Sequence, residues 1–258
     1  MKVVAHRGAS QERPEHTRAA YETALEIGAD GVECDVRMSA DGHLVCVHDR
    51  TVDRTSDGLG AVSDLTLAEL RALDWDSRRG ASGAPGDLIT LRELLALVAD
   101  AGRGTTVAIE TKHPTRWGGA VERAVVTELA RHGWHAPASR AVARAGVMSF
   151  SAPALRRVAE LAPAVPLTRL MSEVPNGVRR RGRLAKHVGA AGLDIALVRR
   201  EPGFVRRLQE AGSQVAVWTV NDPADVDRCV AAGADTIITD RPREVMAQLA
   251  GFVPVLVG

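Results

Sequence analysis

The stretch QVAVWTVNDPADVDRCVAAGADTIITD, residues 214–240, contains the pattern that decides the fold. A strand-like apolar run over 215–220 precedes an Ala-rich helical segment over 224–231, and a second strand-like run follows over 236–239. Gly233 lies just after the helical segment, where glycine is typical of a helix end. Parallel strands need a connection of roughly a dozen residues or more. The order strand, helix, strand therefore predicts two parallel strands joined by a crossover helix.

The same alternation recurs along the whole chain. Eight strand-like runs are separated, for the most part, by segments rich in Ala, Leu and Arg. The runs are 3–6, 31–36, 107–111, 146–150, 167–170, 193–198, 215–220 and 236–239. Eight such units in 258 residues predict an α/β protein, a single (β/α)8 TIM-barrel domain over residues 1–258. An open doubly wound sheet is the competing architecture, but it usually has a Gly-rich turn after its first strand, and His6–Ser10 is not such a turn.

One segment interrupts this alternation after the second strand. The apolar run Leu44–His48 follows after a short connection that contains Asp41-Gly42, a hairpin signal, so we predict an antiparallel return strand. Residues 49–86 then read as a polar insertion with one short helix near 67–73, and a helix over 91–99 resumes the barrel. A long insertion at this place usually covers the mouth of the barrel, and we expect the same here.

Composition and charge exclude several classes of protein. The 33 Lys and Arg balance 32 Asp and Glu, and aromatic residues are only 3%, so we expect no nucleic-acid partner. Three widely spaced cysteines argue against a disulfide framework or a zinc site. The sequence has no apolar run of about 18 residues and no signal-peptide pattern, so we expect a cytoplasmic protein without stable membrane insertion. The sequence does not indicate the oligomeric state.

Polar side chains gather at the carboxyl ends of the predicted strands, where barrel enzymes have their active sites. These residues are His6, Arg7, Glu33, Asp35, His48, Asp49, Glu110, Lys112, Trp218, Asn221 and Asp240. Strand alternation places Glu33 and Asp35 on one face, and Glu110 with Lys112 on one face. Converging carboxylates would repel one another without a cation between them, and oxygen ligands favour Mg²⁺ or Ca²⁺. Each residue alone is compatible with a solvated strand end, but the joint pattern favours a functional site.

The chain resembles the glycerophosphodiester phosphodiesterase family. The matching motifs follow the family order over nearly the whole chain. They include Ala5–Gly8, Pro14–Thr17, Glu33–Val36, the Asp41-Gly42 hairpin, His48-Asp49, Ile109–Lys112, Val217–Asn221 and Thr239–Pro242. Two positions depart from the family pattern: His16 replaces the usual Asn, and Thr111 replaces an aliphatic residue. The change at His16 bears on loop geometry or substrate choice and leaves the reaction class unchanged.

The resemblance implies a metal-dependent enzyme of known chemistry. Its small-molecule substrate would be a glycerophosphodiester, hydrolysed to sn-glycerol 3-phosphate and an alcohol. By resemblance, Glu33, Asp35 and Glu110 bind one divalent cation, Mg²⁺ or Ca²⁺. His6 and His48 are implied to be the catalytic acid–base pair.

The remaining implied roles concern substrate binding and support of the site. Arg7 and Lys112 would contact the phosphate, and Trp218 would shape the glycerol side of the pocket. Glu15 and Asp49 would support the site. Two other functions stay open: a phospholipase-like or sphingomyelinase-D-like lyase that releases a cyclic phosphate, and an inactive barrel that only binds a phosphorylated ligand. The sequence does not identify the alcohol.

Overall fold

Strands and helices alternate as the sequence predicts. The computed structural model describes residues 1–75 and 87–252, and within these ranges it contains nine strands and ten α-helices. The strands are β1 (Lys2–His6), β2 (Gly31–Met38), β3 (Leu44–Cys46), β4 (Thr106–Thr111), β5 (Ala145–Ser149), β6 (Leu167–Met171), β7 (Ala190–Asp194), β8 (Gln214–Trp218) and β9 (Thr236–Thr239). The helices are α1 (Arg18–Ile27), α2 (Leu67–Arg71), α3 (Leu91–Asp100), α4 (Ala120–Arg131), α5 (Ala152–Leu161), α6 (Asn176–Arg181), α7 (Ile195–Arg200), α8 (Gly203–Glu210), α9 (Pro223–Ala232) and α10 (Pro242–Ala250).

Eight of the strands close into a parallel barrel. Their spatial order is β1-β9-β8-β7-β6-β5-β4-β2, and β1 also pairs with β2, which closes the circle. The ninth strand, β3, pairs antiparallel with the end of β2, with Arg37 opposite Val45. The structure therefore confirms both the TIM barrel and the antiparallel return strand.

Local sequence signals set the ends of the helix that follows the first strand. The Thr17 side chain accepts a hydrogen bond from the backbone N–H of Ala20 and begins α1. Gly28 ends the helix in the left-handed conformation, with φ 87°. Tyr21 and Ala24 are buried on the inner face of this helix. The Ala9 N–H, which follows β1, donates to the Ala20 carbonyl oxygen over 2.9 Å and holds the start of α1 close to the carboxyl end of β1.

Alternation along the strands divides the apolar side chains into two layers. On β2, Val32, Cys34 and Val36 pack into the main core, between the barrel and its helices. Glu33 and Asp35 have the opposite orientation, toward the inside of the barrel. A smaller group inside the barrel, here called the inner cluster, consists of Val4, Met148, Leu170 and Ile238.

The prediction of a strand over 193–198 was wrong. The sixth barrel strand in chain order is β7, Ala190–Asp194, and residues Ile195–Arg200 form α7. The Asp194 side chain accepts a hydrogen bond from the N–H of Ala196 and thereby begins the helix. Alanine and glycine occupy most of the true strand, and they have low β-propensity.

The insertion after β3 has its own small apolar core. Val47, Val52, Val62, Leu70 and Trp75 are buried together there, and the predicted short helix is α2. Residues 76–86 of the predicted insertion lie outside the described residues. Coverage of the barrel mouth by the insertion stays a prediction. In the part of the chain that the structure describes, no helix combines the length and apolar character needed to cross a membrane.

Candidate active site

Three acidic side chains meet at the carboxyl ends of two neighbouring strands. Glu33 and Asp35 come from β2, Glu110 comes from β4, and the strand register places Asp35 directly beside Glu110. One carboxylate oxygen of each residue lies within 4.8 Å of the others, and all three residues are buried. The predicted convergence of the three carboxylates therefore exists, and together they could hold a metal ion.

The pKa values of these acids are shifted by burial first and by neighbouring charges second. Burial, followed by the neighbouring Asp35 charge, raises the pKa of Glu33 well above its ordinary range. The same two causes raise the pKa of Glu110 to about 7. Burial would also raise the pKa of Asp35, but the hydrogen bond from His16 and the nearby cations hold it well below its usual value. An acid cluster of this kind gains stability when a cation binds.

Two basic side chains already balance part of this charge. Lys112 Nζ lies 3.2 Å from Asp35 Oδ1 and 2.9 Å from Glu110 Oε1. Arg7 Nε lies 3.1 Å from Asp35 Oδ2, and the Arg7 backbone N–H donates to Glu33 over 3.1 Å. When all three acids are ionised, as metal binding requires, the two side-chain cations leave a negative balance. An all-oxygen donor set with this balance fits a hard divalent cation.

The loop after β1 needs unusual backbone conformations to bring Arg7 and His16 inward. Both residues have left-handed φ values, 59° for Arg7 and 61° for His16. Gly8 follows with φ 83°, and a Cβ atom there would lie only 2.6 Å from the backbone carbon of Ala20. Glycine at position 8 therefore lets the loop pass closely over the start of α1.

His6 is held by a carboxylate from the opposite end of the chain. Its Nδ1 lies 2.7 Å from Asp240 Oδ1, which also accepts a hydrogen bond from the Ser10 hydroxyl. Asp240 Oδ2 accepts a hydrogen bond from the Asn221 amide over 2.7 Å. Burial would raise the pKa of Asp240, but the hydrogen bond with His6 and the partners around it lower it to about 2. Sequence reasoning placed Asp240 at a strand end but missed its role as the partner of His6.

His48 also has a carboxylate partner, and this one belongs to the next residue in the chain. Its Nδ1 lies 2.7 Å from Asp49 Oδ1, and Arg54 pairs with the other Asp49 oxygen. Arg54 also pairs with Glu15 over 2.8 Å, and Glu15 in turn pairs with Arg7. Burial lowers the pKa of His48, which favours the neutral imidazole. Glu15 and Asp49 thus connect the loop after β1 to the segment after β3.

His16 occupies a central place that sequence reasoning missed. Its Nε2 lies 2.9 Å from Asp35 Oδ2, and its Nδ1 lies 2.7 Å from the Tyr21 hydroxyl. The ring is buried, and burial lowers its pKa despite the opposing effect of Asp35. A neutral imidazole with its proton on Nε2 donates to Asp35 and accepts from Tyr21. The substitution of His for the usual Asn was the available signal.

These groups surround a cavity of about 180 Å³, here called the catalytic cavity. Seven of the ten sequence-predicted site residues line it: His6, Arg7, Glu33, His48, Glu110, Lys112 and Trp218. The other three, Asp35, Glu15 and Asp49, contact these lining residues directly. Phe150 packs edge-on against Trp218, with ring centroids 5.5 Å apart. The structure therefore places all ten predicted residues in or next to the lining of the catalytic cavity.

Comparison with known proteins points to one family. The sequence matches the glycerophosphoryl diester phosphodiesterase family over residues 6–244. A protein described as probable glycerophosphodiester phosphodiesterase 1 from Mycobacterium tuberculosis is 46% identical over 252 residues, covering 96% of this chain and 92% of its own. A glycerophosphodiester phosphodiesterase from Caldanaerobacter subterraneus subsp. tengcongensis is 34% identical over 244 residues, with 95% and 96% coverage.

A solved structure agrees with these sequence matches. A phosphodiesterase from Oleispira antarctica, in complex with the product sn-glycerol-3-phosphate, superimposes with a TM-score of 0.84. The two chains are 26% identical, and the alignment covers 97% of each. Fold, acidic cluster and sequence relatives agree, and the chain belongs to the glycerophosphoryl diester phosphodiesterase family of enzymes.

Proposed function

We propose that this enzyme hydrolyses glycerophosphodiesters to sn-glycerol 3-phosphate and an alcohol, with the help of a divalent cation. One observation carries the proposal: a buried cluster of three acids and two carboxylate-bound histidines meet around the same small cavity. The bound product in the Oleispira antarctica phosphodiesterase supports sn-glycerol 3-phosphate as the product here.

In this proposal Glu33, Asp35 and Glu110 hold the cation. The all-oxygen donor set supports Mg²⁺ or Ca²⁺. When bound, the cation would stabilise the negative charge that phosphoryl oxygens gain during the reaction. Arg7 and Lys112 line the same cavity and would bind the phosphate oxygens through charged hydrogen bonds.

His6 and His48 are the proposed acid–base pair. In each histidine a carboxylate lies 2.7 Å from Nδ1, so a proton on Nδ1 is held there and Nε2 is free for proton transfer. One imidazole would accept a proton from the attacking water as the new P–O bond forms, and the other, as imidazolium, would donate a proton to the leaving alcohol oxygen as the old P–O bond breaks. The two histidines thereby exchange protonation states, and proton exchange with solvent restores them before the next turnover.

The size of the catalytic cavity supports a deacylated substrate. About 180 Å³ accommodates a glycerol phosphate group far better than two acyl chains. Trp218, with Phe150 against it, provides an apolar wall for the glycerol carbons. Trp218 Nε1 is buried and has no hydrogen-bond partner among the described residues, so it can donate to a substrate oxygen.

Product identification by phosphorus NMR tests the proposal. Purified enzyme is incubated with glycerophosphocholine, lysophosphatidylcholine and dispersed diacyl phosphatidylcholine, with added Mg²⁺ or Ca²⁺ and with a chelator. We expect sn-glycerol 3-phosphate from glycerophosphocholine, a lower kcat/KM for both lipids and loss of activity in chelator. A cyclic phosphate as the final product would instead support the lyase, and binding without turnover would support the inactive barrel.

A further inference from the structure

A second cavity, of about 360 Å³, adjoins the catalytic cavity, and the two share Lys112 as a common wall. It lies between the hairpin of β2 and β3, the short 3-10 helix Val62–Asp64 and the loop after β4. Its lining includes Arg37, Arg50 and Arg116. We call it the arginine cavity. Lys112 thus lies between the two spaces.

The arginine cavity has an excess of positive charge. Arg116 pairs with Asp64 over 2.6 Å and lies over the Trp117 ring at 4.6 Å. Arg37 donates from Nε to the His48 carbonyl oxygen, which is a neutral partner. Among the described residues, neither Arg37 nor Arg50 has a carboxylate oxygen within 4.0 Å. The lining has four cationic side chains and one carboxylate, but Lys112 is paired with Asp35 and Glu110, and Arg116 with Asp64. The excess positive charge therefore comes from Arg37 and Arg50.

The chemistry of this lining selects an anion. Guanidinium groups bind phosphate and carboxylate oxygens through paired, charged hydrogen bonds. Among the described residues neither Arg37 nor Arg50 is ion-paired with a carboxylate, although the charges of Asp35, Asp49 and Glu110 act on Arg37 from farther away. A cationic alcohol such as choline would meet like charge in the same space. An alcohol that carries its own phosphate ester would place that negative charge beside the arginine side chains, away from the scissile bond.

We propose that the arginine cavity binds the leaving alcohol of the substrate and favours an alcohol that itself carries an anionic phosphate ester. This inference rests on the proposed glycerophosphodiester hydrolysis and specifies which class of leaving alcohol the enzyme prefers. The glycerol group lies against Trp218, the scissile phosphate lies at Lys112, and the second phosphate binds to Arg37, Arg50 and Arg116.

A matched pair of substrates tests the proposal. Glycerophosphoinositol and glycerophosphoinositol 4-phosphate differ only by one phosphate on the alcohol, and glycerophosphocholine serves as the cationic comparison. We expect kcat/KM for the phosphorylated substrate to exceed that for glycerophosphoinositol by roughly tenfold at low salt, because several partly exposed charge pairs act together. The preference should shrink as ionic strength rises.

Single substitutions then locate the preference. Arg50→Gln and Arg116→Gln should each lower the ratio of the two kcat/KM values by about threefold, and the double variant should lower it further. Arg206→Gln is the matched control, because this arginine lies on the outer helix α8 with 82% of its side chain exposed. It should keep the wild-type ratio.

The outcomes separate the two proposals. Active enzyme with equal kcat/KM for the two inositol substrates would overturn the arginine cavity as the alcohol site and leave the proposed hydrolysis intact. A preference that persists in both arginine variants would also overturn it. Wild-type enzyme that hydrolyses none of the three substrates in the presence of Mg²⁺ or Ca²⁺ would overturn the proposed function, and with it this inference.

Discussion

The Nδ1 atom of His6 lies 2.7 Å from Oδ1 of Asp240, although the two residues are 234 positions apart in the chain. The contact forms because β1 pairs with β9 and both strands end at the same edge of the barrel. His48 has an equivalent partner in Asp49, the next residue in the sequence. The two histidines therefore reach the same arrangement, one through tertiary structure and one through local sequence.

Asp240→Asn should lower kcat without unfolding the protein. The amide cannot stabilise a charged imidazole as the carboxylate does, and acid–base catalysis contributes about 10²–10⁴-fold in enzymes of this kind. We expect kcat to fall by roughly 10–100-fold, less than in His6→Ala, with a changed pH profile. Steady-state kinetics from pH 5 to 9 measure this. Asp227→Asn, an exposed carboxylate on α9, is the control, and equal kcat in both variants would contradict the orienting role.

The same substitution should also change how stability depends on pH. Asp240 has a pKa of about 2 in the folded protein against an ordinary 3.8. The lowered pKa means that the carboxylate stabilises the fold above pH 4 and that this contribution disappears as the pH falls through about 2. Asp240→Asn should therefore lower the free energy of unfolding by about 2 kcal/mol at pH 7 and by less at pH 3. Urea unfolding at both pH values measures the difference, and a pH-independent difference would refute the explanation.

His6→Ala and His48→Ala should each reduce kcat by about 10²–10⁴-fold. The double variant should lose far less than the product of the two single losses, because the pair acts as a unit. Circular dichroism and thermal unfolding should show an intact barrel in all three variants, since residues at the strand ends contribute little to the core. Wild-type turnover in either single variant would remove that histidine from the mechanism.

Glu110→Gln should weaken metal binding. The change removes one ligand charge at nearly constant volume, and we expect the affinity for Mg²⁺ or Ca²⁺ to fall by more than about tenfold. Because burial and the neighbouring Asp35 charge raise the pKa of Glu110 to about 7, the metal-free variant should be at least as stable as wild type at pH 8. Titration calorimetry on chelator-treated protein measures the affinity, with Glu160→Gln on α5 as the exposed control. Unchanged affinity would mean that Glu110 is not a ligand.

His16→Ala should destabilise the fold and loosen Asp35. The variant removes one hydrogen-bond partner from the buried Tyr21 hydroxyl and one from the Asp35 carboxylate. A lost hydrogen bond costs about 0.5–1.5 kcal/mol, and about 1.5–3 kcal/mol when one partner is charged. We expect the free energy of unfolding to fall by at least about 2 kcal/mol and the metal affinity to fall with it. His16→Asn should lose less, and the exposed His43→Ala should be neutral. Wild-type urea midpoints in His16→Ala would contradict this assignment.

The fold could be predicted where local signals and tertiary structure agree. In the unit from β8 to β9, a strand of β-branched residues precedes a helix that Gly233 ends with φ 74°, so pattern and structure coincide. In the unit around β7 they conflict. Ala190–Gly192 lie in a strand although their types disfavour it, and the apolar residues of α7 imitate a strand because they too are buried. Burial without periodicity does not distinguish a short helix from a strand.

The candidate site could be predicted where its residues lie on strands. Alternation alone places Glu33 and Asp35 on one face, and a neighbouring strand supplies Glu110. The contacts of His16 and Asp240 could not be predicted in this way. His16 reaches Asp35 only because its backbone adopts a left-handed conformation, and Asp240 reaches His6 only when the barrel closes. The spacing of residues in the sequence predicts neither contact, because one depends on a backbone conformation and the other on a strand pairing of the folded protein.

The inner cluster has a consequence for the evolution of this enzyme. Met148, Leu170 and Ile238 are nearly inaccessible to solvent, yet they also form the floor of the catalytic cavity. The substitution Ile238→Val would enlarge the cavity at its floor and admit a larger substrate group. It would also lower the free energy of unfolding by about 0.5–1.5 kcal/mol, because core packing is lost. Few domains exceed about 5–15 kcal/mol in total stability. Lineages that broaden their substrate range through this floor would therefore need compensating mutations in the outer layer of the barrel.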